Sequence, residues 1–151
     1  MTQVLADLHD VAATRLQHAD QRYTSNRRRL IQVLADADRP LAIPEILTRQ
    51  RGLAQSSAYR NLAILESVGV VHRIVTSDDF ARYELAEELT DDHHHHLICS
   101  RCGSVEDVSL SAQFEKELER EVAAVARRAR LKIERHQLDV MGTCAQCRAG
   151  A

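Results

Sequence analysis

A chain of 151 residues with a formal net charge of −2 at pH 7 suffices for one ordinary domain or two small ones. Aromatic residues are 3% of it and tryptophan is absent, so the core must be aliphatic. No apolar run approaches the roughly eighteen residues that span a bilayer, and the acidic start (Asp7, Asp10) lacks the basic and apolar regions of a secretory signal. These exclusions predict a cytoplasmic protein with no membrane partner, in a compartment where paired cysteines more often hold a metal than each other.

Residues 1–73 carry ten arginines against seven acidic residues, whereas 74–151 carry ten basic residues against fifteen acidic ones. A basic front and an acidic back suggest two tasks. Val4, Leu5, Leu8, Val11, Ala12, Leu16 and Ala19 recur at helical spacing and predict an amphipathic helix over 3–20, with His9 and His18 on its solvated side. Thr24 or Ser25 can cap a second helix, which buries Leu30, Ile31, Val33 and Leu34 and ends near Asp38. Pro44 suits the first turn of a short third helix that buries Ile46 and Leu47 and stops at Gly52. A fourth helix, Gln55–Val68, turns Ala58, Leu62 and Leu65 inward and leaves Ser57, Arg60, Asn61 and Glu66 outward. Val70–Val75 and Arg82–Leu85 then form a hairpin around Ser77-Asp78-Asp79. Helix, short helix, turn, helix, hairpin is the order of a winged helix-turn-helix.

A polar connector follows over 86–92. Strands are expected at His93–Ser100 and Ser104–Val108, then a long helix capped by Ser111 with Phe114, Leu118, Val122, Val125 and Ala129 on one face, then a last strand His136–Met141. The fold class is therefore α+β: a winged helix over 1–86, expected to be a DNA-binding domain although a small helical domain with no nucleic-acid role fits the same pattern, a hinge over 87–92 and a small α/β domain over 93–151. So small a sheet leaves an edge and a face to cover, which homodimerisation would do.

The strongest chemical signal is Cys99-Ser-Arg-Cys102 with Cys144-Ala-Gln-Cys147, which together use all four cysteines. Two C-x-x-C knuckles at strand ends supply four thiolates for a closed, structural Zn²⁺ site. The second signal is His93-His94-His95-His96. On a strand, His94 and His96 point one way and His93 and His95 the other, so one run can feed two metal sites. Further ligands would come from among His72, Glu84, Asp107, Glu115 and His136. An enzymatic reading fares poorly: no helical H-x-x-x-H with an intervening Glu is present, and no small-molecule substrate is implied. Metal storage without DNA would leave the basic front half unexplained.

The chain resembles the ferric uptake regulator family. The resemblance rests on Tyr23-Thr24-Ser25-Asn26-Arg27-Arg28, Ser57-Ala58-Tyr59-Arg60-Asn61-Leu62 and Tyr83-Glu84-Leu85, and above all on His93 through Gly103, with His136 and Gly142-Thr143-Cys144 completing it. It implies a homodimeric repressor of AT-rich palindromic operators in double-stranded DNA. It implies structural zinc at Cys99, Cys102, Cys144 and Cys147, and a regulatory site containing Glu84, His94 and His96. A further site would take His93, His95, His136 and, allowing one inserted residue after Val108, Glu115. Tyr59 and Arg60 would read bases and Arg22 would enter the minor groove, while Ser56, Ser57 and Arg27–Arg29 would meet phosphates.

Two departures bear on the metal. Iron- and peroxide-sensing members of the family place a histidine before the third helix, where this chain has Arg39-Pro40. Zinc-uptake members use an Asp in the wing and a Cys near the connector, where this chain has His72 and Ala86. The regulatory set expected here is His72, Glu84, His94 and His96, with Asp107 as a further candidate. Three imidazoles and a carboxylate favour Zn²⁺ over Fe²⁺, and hence control of zinc-uptake genes, with an iron-, nickel-, manganese- or peroxide-responsive regulator of the same family as the alternative.

Overall fold

The computed structural model describes residues 2–77, 80–90 and 93–150. The turn at Asp78 and Asp79, the connector positions Asp91 and Asp92, and the side chains of Val4 and Leu5 lie outside what it describes. The chain opens with α1 (Thr2–His18) and α2 (Ser25–Ala35). Thr24 caps α2 by accepting from the Arg27 N–H, one of the donors a helix start leaves without an intrahelical partner. A two-residue strand, β1 (Leu41–Ala42), leads into α3 (Ile43–Arg49), where Pro44 sits in the first turn and Glu45 reaches back to the Ala42 N–H at 2.8 Å. Next come α4 (Gln55–Ser67), β2 (Val71–Ile74) and β3 (Arg82–Leu85). Gly69, at φ +72°, turns the chain out of α4 in the left-handed region that other residues resist.

The first sheet has the order β1-β3-β2 and is antiparallel throughout. With α2 to α4 it makes the expected winged helix. Its core runs from Leu16 through Leu30, Ile31, Ile43, Ile46, Leu62, Leu65 and Val70, all 2% exposed or less. Each such side chain contributes about 1.5–3 kcal/mol on leaving water. His9 corrects the sequence reading: it is 6% exposed, not solvated, with one ring nitrogen against the Tyr23 hydroxyl and the other 3.4 Å from Gln32 Oε1. The buried face of α1 is wide enough to take it in beside Leu8 and Ala12, and hydrogen bonds offset its desolvation.

Within the connector Glu87–Thr90 forms a short helix, α5. The second sheet, order β5-β4-β6, is made by β4 (His95–Cys99), β5 (Val105–Val108) and β6 (Asp139–Gly142). β5 pairs with β4 antiparallel and β6 pairs with it parallel. Regular pairing thus begins two residues later than expected in β4 and three later in β6. Between them runs α6 (Ala112–Ala129), capped by the Ser111 hydroxyl accepting from the Phe114 N–H at 3.3 Å. A final turn of helix, α7 (Ala145–Ala149), follows Cys144.

The apolar face of α6 is not covered within one chain. Phe114 and Val125 are 47% and 53% exposed, and Ala126 alone among its described residues is buried. Leu97, Val140 and Met141 on the sheet are exposed as well. The two halves touch where Ile74 of β2 packs on Ile98 and Val105, and where the Ser77 hydroxyl donates to the Ser100 carbonyl at 2.6 Å. Among the described residues no helix is long and apolar enough to cross a membrane.

Candidate functional site

The two cysteine pairs converge. β4 ends at Cys99 and β6 ends just before Cys144, and their parallel pairing brings the two knuckles together. One sulfur each from Cys99, Cys102, Cys144 and Cys147 lies within 4.8 Å of the others, with Cys102 Sγ 3.9 Å from Cys144 Sγ. Tetrahedral zinc with bonds of about 2.3 Å would set sulfurs about 3.8 Å apart. Backbone donors, Cys144 N–H first, draw the Cys99 thiol down to about 6, whereas hydrogen bonding among the crowded sulfurs pushes Cys147 up to about 12. Four sulfurs so placed can all be thiolates only around a cation, so the donor set fits structural zinc.

The second cluster straddles the two halves. Glu84, in β3, has Oε2 3.1 Å from His94 Nε2 and 3.3 Å from His96 Nε2. Its Oε1 is 2.9 Å from His72 Nδ1. Asp107, opposite His96 across the β4–β5 pair, has Oδ2 3.9 Å from His94 Nε2. Donor atoms of Glu84, His94, His96 and Asp107 all lie within 4.8 Å of one another. Of the set expected from the sequence, Glu84, His94 and His96 meet, the further candidate Asp107 joins them, and His72 stands one residue removed. The His72 ring stacks on His96 with centroids 6.3 Å apart.

The third cluster lies on the other side of β4, as strand alternation predicts. His95 Nε2 is 2.9 Å from Glu115 Oε1. His93 Nε2 is 3.5 Å and His136 Nε2 3.9 Å from Glu115 Oε2. Glu115 is in the first turn of α6, and His136 precedes β6. Glu115 Oε2 and His136 Nε2 are buried without a hydrogen-bond partner among the described residues. A divalent cation is a partner both atoms can share, so this set fits a metal too. Two-sided burial also explains why His95 and His96, 1% and 2% exposed, are both interior: Glu115, His93 and His136 close around one ring, and Glu84, His72 and Asp139 around the other.

The sequence model of the ferric uptake regulator family matches residues 18–141. The chain belongs to that family. It is 28% identical over 138 residues to the ferric uptake regulation protein of Bacillus subtilis, covering 87% of this chain and 89% of that one. To the Escherichia coli protein of the same name it is 30% identical over 139 residues, 88% of each chain. Its fold matches that of the Helicobacter pylori ferric uptake regulator with a TM-score of 0.72 over 95% and 93% of the two chains, at 23% identity. Peroxide, manganese and zinc uptake regulators are also among the similar proteins, so the family is one of metal-responsive transcription regulators and does not itself name the metal.

In this family member the nucleic-acid face predicted from the sequence is largely solvent-exposed. Arg22, Arg28, Arg29, Ser56, Tyr59 and Arg60 are exposed, Tyr59 by 46%. Ser57 is half-buried and accepts from Asn61 Nδ2 at 3.1 Å. Arg27 departs from the expectation that it meets phosphate. It is 7% exposed, its Nε donates to Asn61 Oδ1 at 3.0 Å, and its other nitrogens donate to Gln21 Oε1 and the Arg22 carbonyl. Arg27 therefore fastens α2 to α4 and to the Arg22 segment.

Sequence reasoning missed Asp139. Its Oδ1 is 3.0 Å from His96 Nδ1, and Gln137 Nε2 donates to both its oxygens at 2.9 and 2.7 Å. His96 is thus held at one nitrogen and offers the other to Glu84, the arrangement that orients a metal-binding imidazole. Its register opposite His96 across β4 and β6 is the signal that could have found it.

Within this cluster Glu84 and His96 shift each other in opposite directions. Burial would raise the Glu84 carboxyl, but hydrogen bonds from His72, His96 and His94 outweigh it and hold the pKa at about 2. Burial would lower His96, but Glu84 and then Asp139 raise it to about 9. The His96 contribution to the stability of the metal-free protein is therefore complete below its ordinary value of 6.5 and lost as pH rises through about 9. The Glu84 contribution is present above 4.5 and lost as pH falls through about 2. Because a ligating imidazole must be neutral, metal uptake at about pH 7.5 should release about one proton from His96. Calorimetry in buffers of different ionisation enthalpy reads this directly, and a binding heat that does not vary with buffer would contradict it.

Proposed function

We propose that this regulator is a metal-dependent repressor that binds AT-rich palindromic operators as a homodimer, with zinc as its regulatory metal. Residues 1–86 would bind DNA, 87–92 would be the hinge and 93–151 would dimerise and hold metal. One observation carries the reading: Glu84 belongs to the winged hairpin, His94, His96 and Asp107 belong to the second sheet, and their donor atoms lie within 4.8 Å. A cation supplies a positive centre that donors from both halves can share. Glu84 and the two histidines therefore favour the conformer in which the halves are together once metal binds. In a dimer that conformer fixes the spacing of the two α4 helices, which must match half-sites about one turn of DNA apart. The uncovered face of α6, with exposed Leu97, Val140 and Met141, supports a second copy as the partner.

The histidines support zinc, with His72 beside Glu84 at 2.9 Å as a further imidazole. A second reading, Fe²⁺, is favoured by Asp107 itself, since two imidazoles and two carboxylates make a harder site. Fluorescence anisotropy against an AT-rich palindrome, with Zn²⁺, Fe²⁺, Ni²⁺ and Mn²⁺ at buffered free levels, decides between them. Binding switched on by Zn²⁺ at the lowest free level is expected. Binding indifferent to every metal would sink the sensing mechanism. In the same assay Arg60→Ala should weaken specific binding by about 1–3 kcal/mol with an unchanged melting temperature. Arg27→Ala should instead lower the melting temperature, because it leaves Asn61 and the Arg22 carbonyl without their donor.

A further inference from the structure

α5 is fastened to the N-terminal half, with Leu89 against that half's core and the helix against α1. Glu87 nevertheless reaches forward into the histidine run. Its Oε2 is 3.0 Å from His93 Nδ1. Its Oε1 accepts from the His94 backbone N–H at 3.3 Å and stands 3.9 Å from His94 Nδ1. A single carboxylate thus touches one histidine from each of the two candidate histidine centres. The centre of His93, His95, Glu115 and His136 otherwise draws every ligand from the C-terminal half.

We propose that Glu87 is a positioning residue that couples the two histidine centres and ties the His93 centre to the DNA-binding half. The inference rests on reading both clusters as metal centres. His93 donates its Nδ1–H to Glu87, which leaves Nε2, 3.5 Å from Glu115 Oε2, as the lone-pair nitrogen facing the cluster. A ring fixed at both nitrogens holds Glu87 in turn. Glu87 then holds the His94 backbone, and with it the ring whose Nε2 meets Glu84. Occupancy of either centre thereby narrows the conformations open to the other. The same contact lets α5, which packs on α1, register what the His93 centre holds.

The test uses the full-length protein with zinc kept in its cysteine cluster, titrated with Co²⁺. The affinity of the His93 centre is measured with and without His96→Ala, in the parent and in Glu87 variants. In the parent, losing His96 should weaken the His93 centre by about 5–150-fold, the usual size of coupling between sites. Glu87→Ala should weaken that centre by about 10–100-fold and abolish its dependence on His96. Glu87→Gln keeps an acceptor oxygen for His93 and should recover most of the loss, which a merely structural role would not require. A Glu87→Ala protein with the parent's affinities and coupling would overturn the proposal, as would a Gln variant no better than Ala. A parent that took up no Co²⁺ beyond its zinc would instead overturn the reading of the clusters as metal centres, a failure visible before any Glu87 variant is made.

Discussion

Cys102→Ser should lose the metal of the cysteine cluster and unfold the C-terminal unit while the winged helix stays folded. The expectation follows from how little else holds that unit together. Its buried apolar cluster is Ile98 and Val105, with Ile74 borrowed from the hairpin, whereas the winged helix has a continuous core from Leu8 to Leu85. The zinc of small metal-folded units supplies about 10–16 kcal/mol of apparent binding free energy, far more than three aliphatic side chains contribute. Removing one of four sulfurs leaves the rest crowded, with no cation to make them all thiolates. Metal analysis should show the lost zinc, and hydrogen exchange should show β4, β5 and β6 amides unprotected while α2 and α4 amides keep their protection. A variant that retained zinc and exchanged like the parent would remove the structural role.

Glu84→Gln should leave the fold and the metal of the cysteine cluster intact and abolish the metal response. Glutamine keeps the shape of the side chain and can still accept from one histidine. It loses the charge that meets His72, His94 and His96 together. His96 should then lose its largest upward influence and titrate lower, which NMR of the ring can follow. Operator affinity in saturating metal should fall to the metal-free level, a loss of about 5–150-fold if the coupling is ordinary in size. The two variants are meant to differ: one unfolds a unit, the other silences a switch. If they behaved alike, the division between structural and regulatory centres would be wrong.

Most of the fold was readable because its cues are local. Thr24 and Ser111 are caps before apolar runs, Pro44 opens a helix, and Gly69 closes one. The cysteine knuckles were readable because soft ligands at that spacing have few other uses. What escaped depends on tertiary contact. β1 is two residues whose strand character exists only against Arg82 and Tyr83. Asp139 is one carboxylate among many until β6 lies beside β4. Arg27 looked like one of three basic residues in a row, yet it shares the helical stripe of Leu30, Ile31 and Leu34, all buried, and that spacing is the cue to its interior position. His9, beside Leu8 and one turn from Ala12, was misread in the same way.

β6 is short, exposed on every residue, and carries Asp139 at one end with Cys144 just beyond the other. Asp139 adds to Glu84 in raising the basicity of the His96 imidazole, and the cysteine cluster lies at the far end of the strand that presents Asp139. If the Glu84 cluster is the sensing site proposed above, the free metal level at which the regulator trips would be tuned from a distance, by how firmly the sulfur cluster holds β6 in register beside β4.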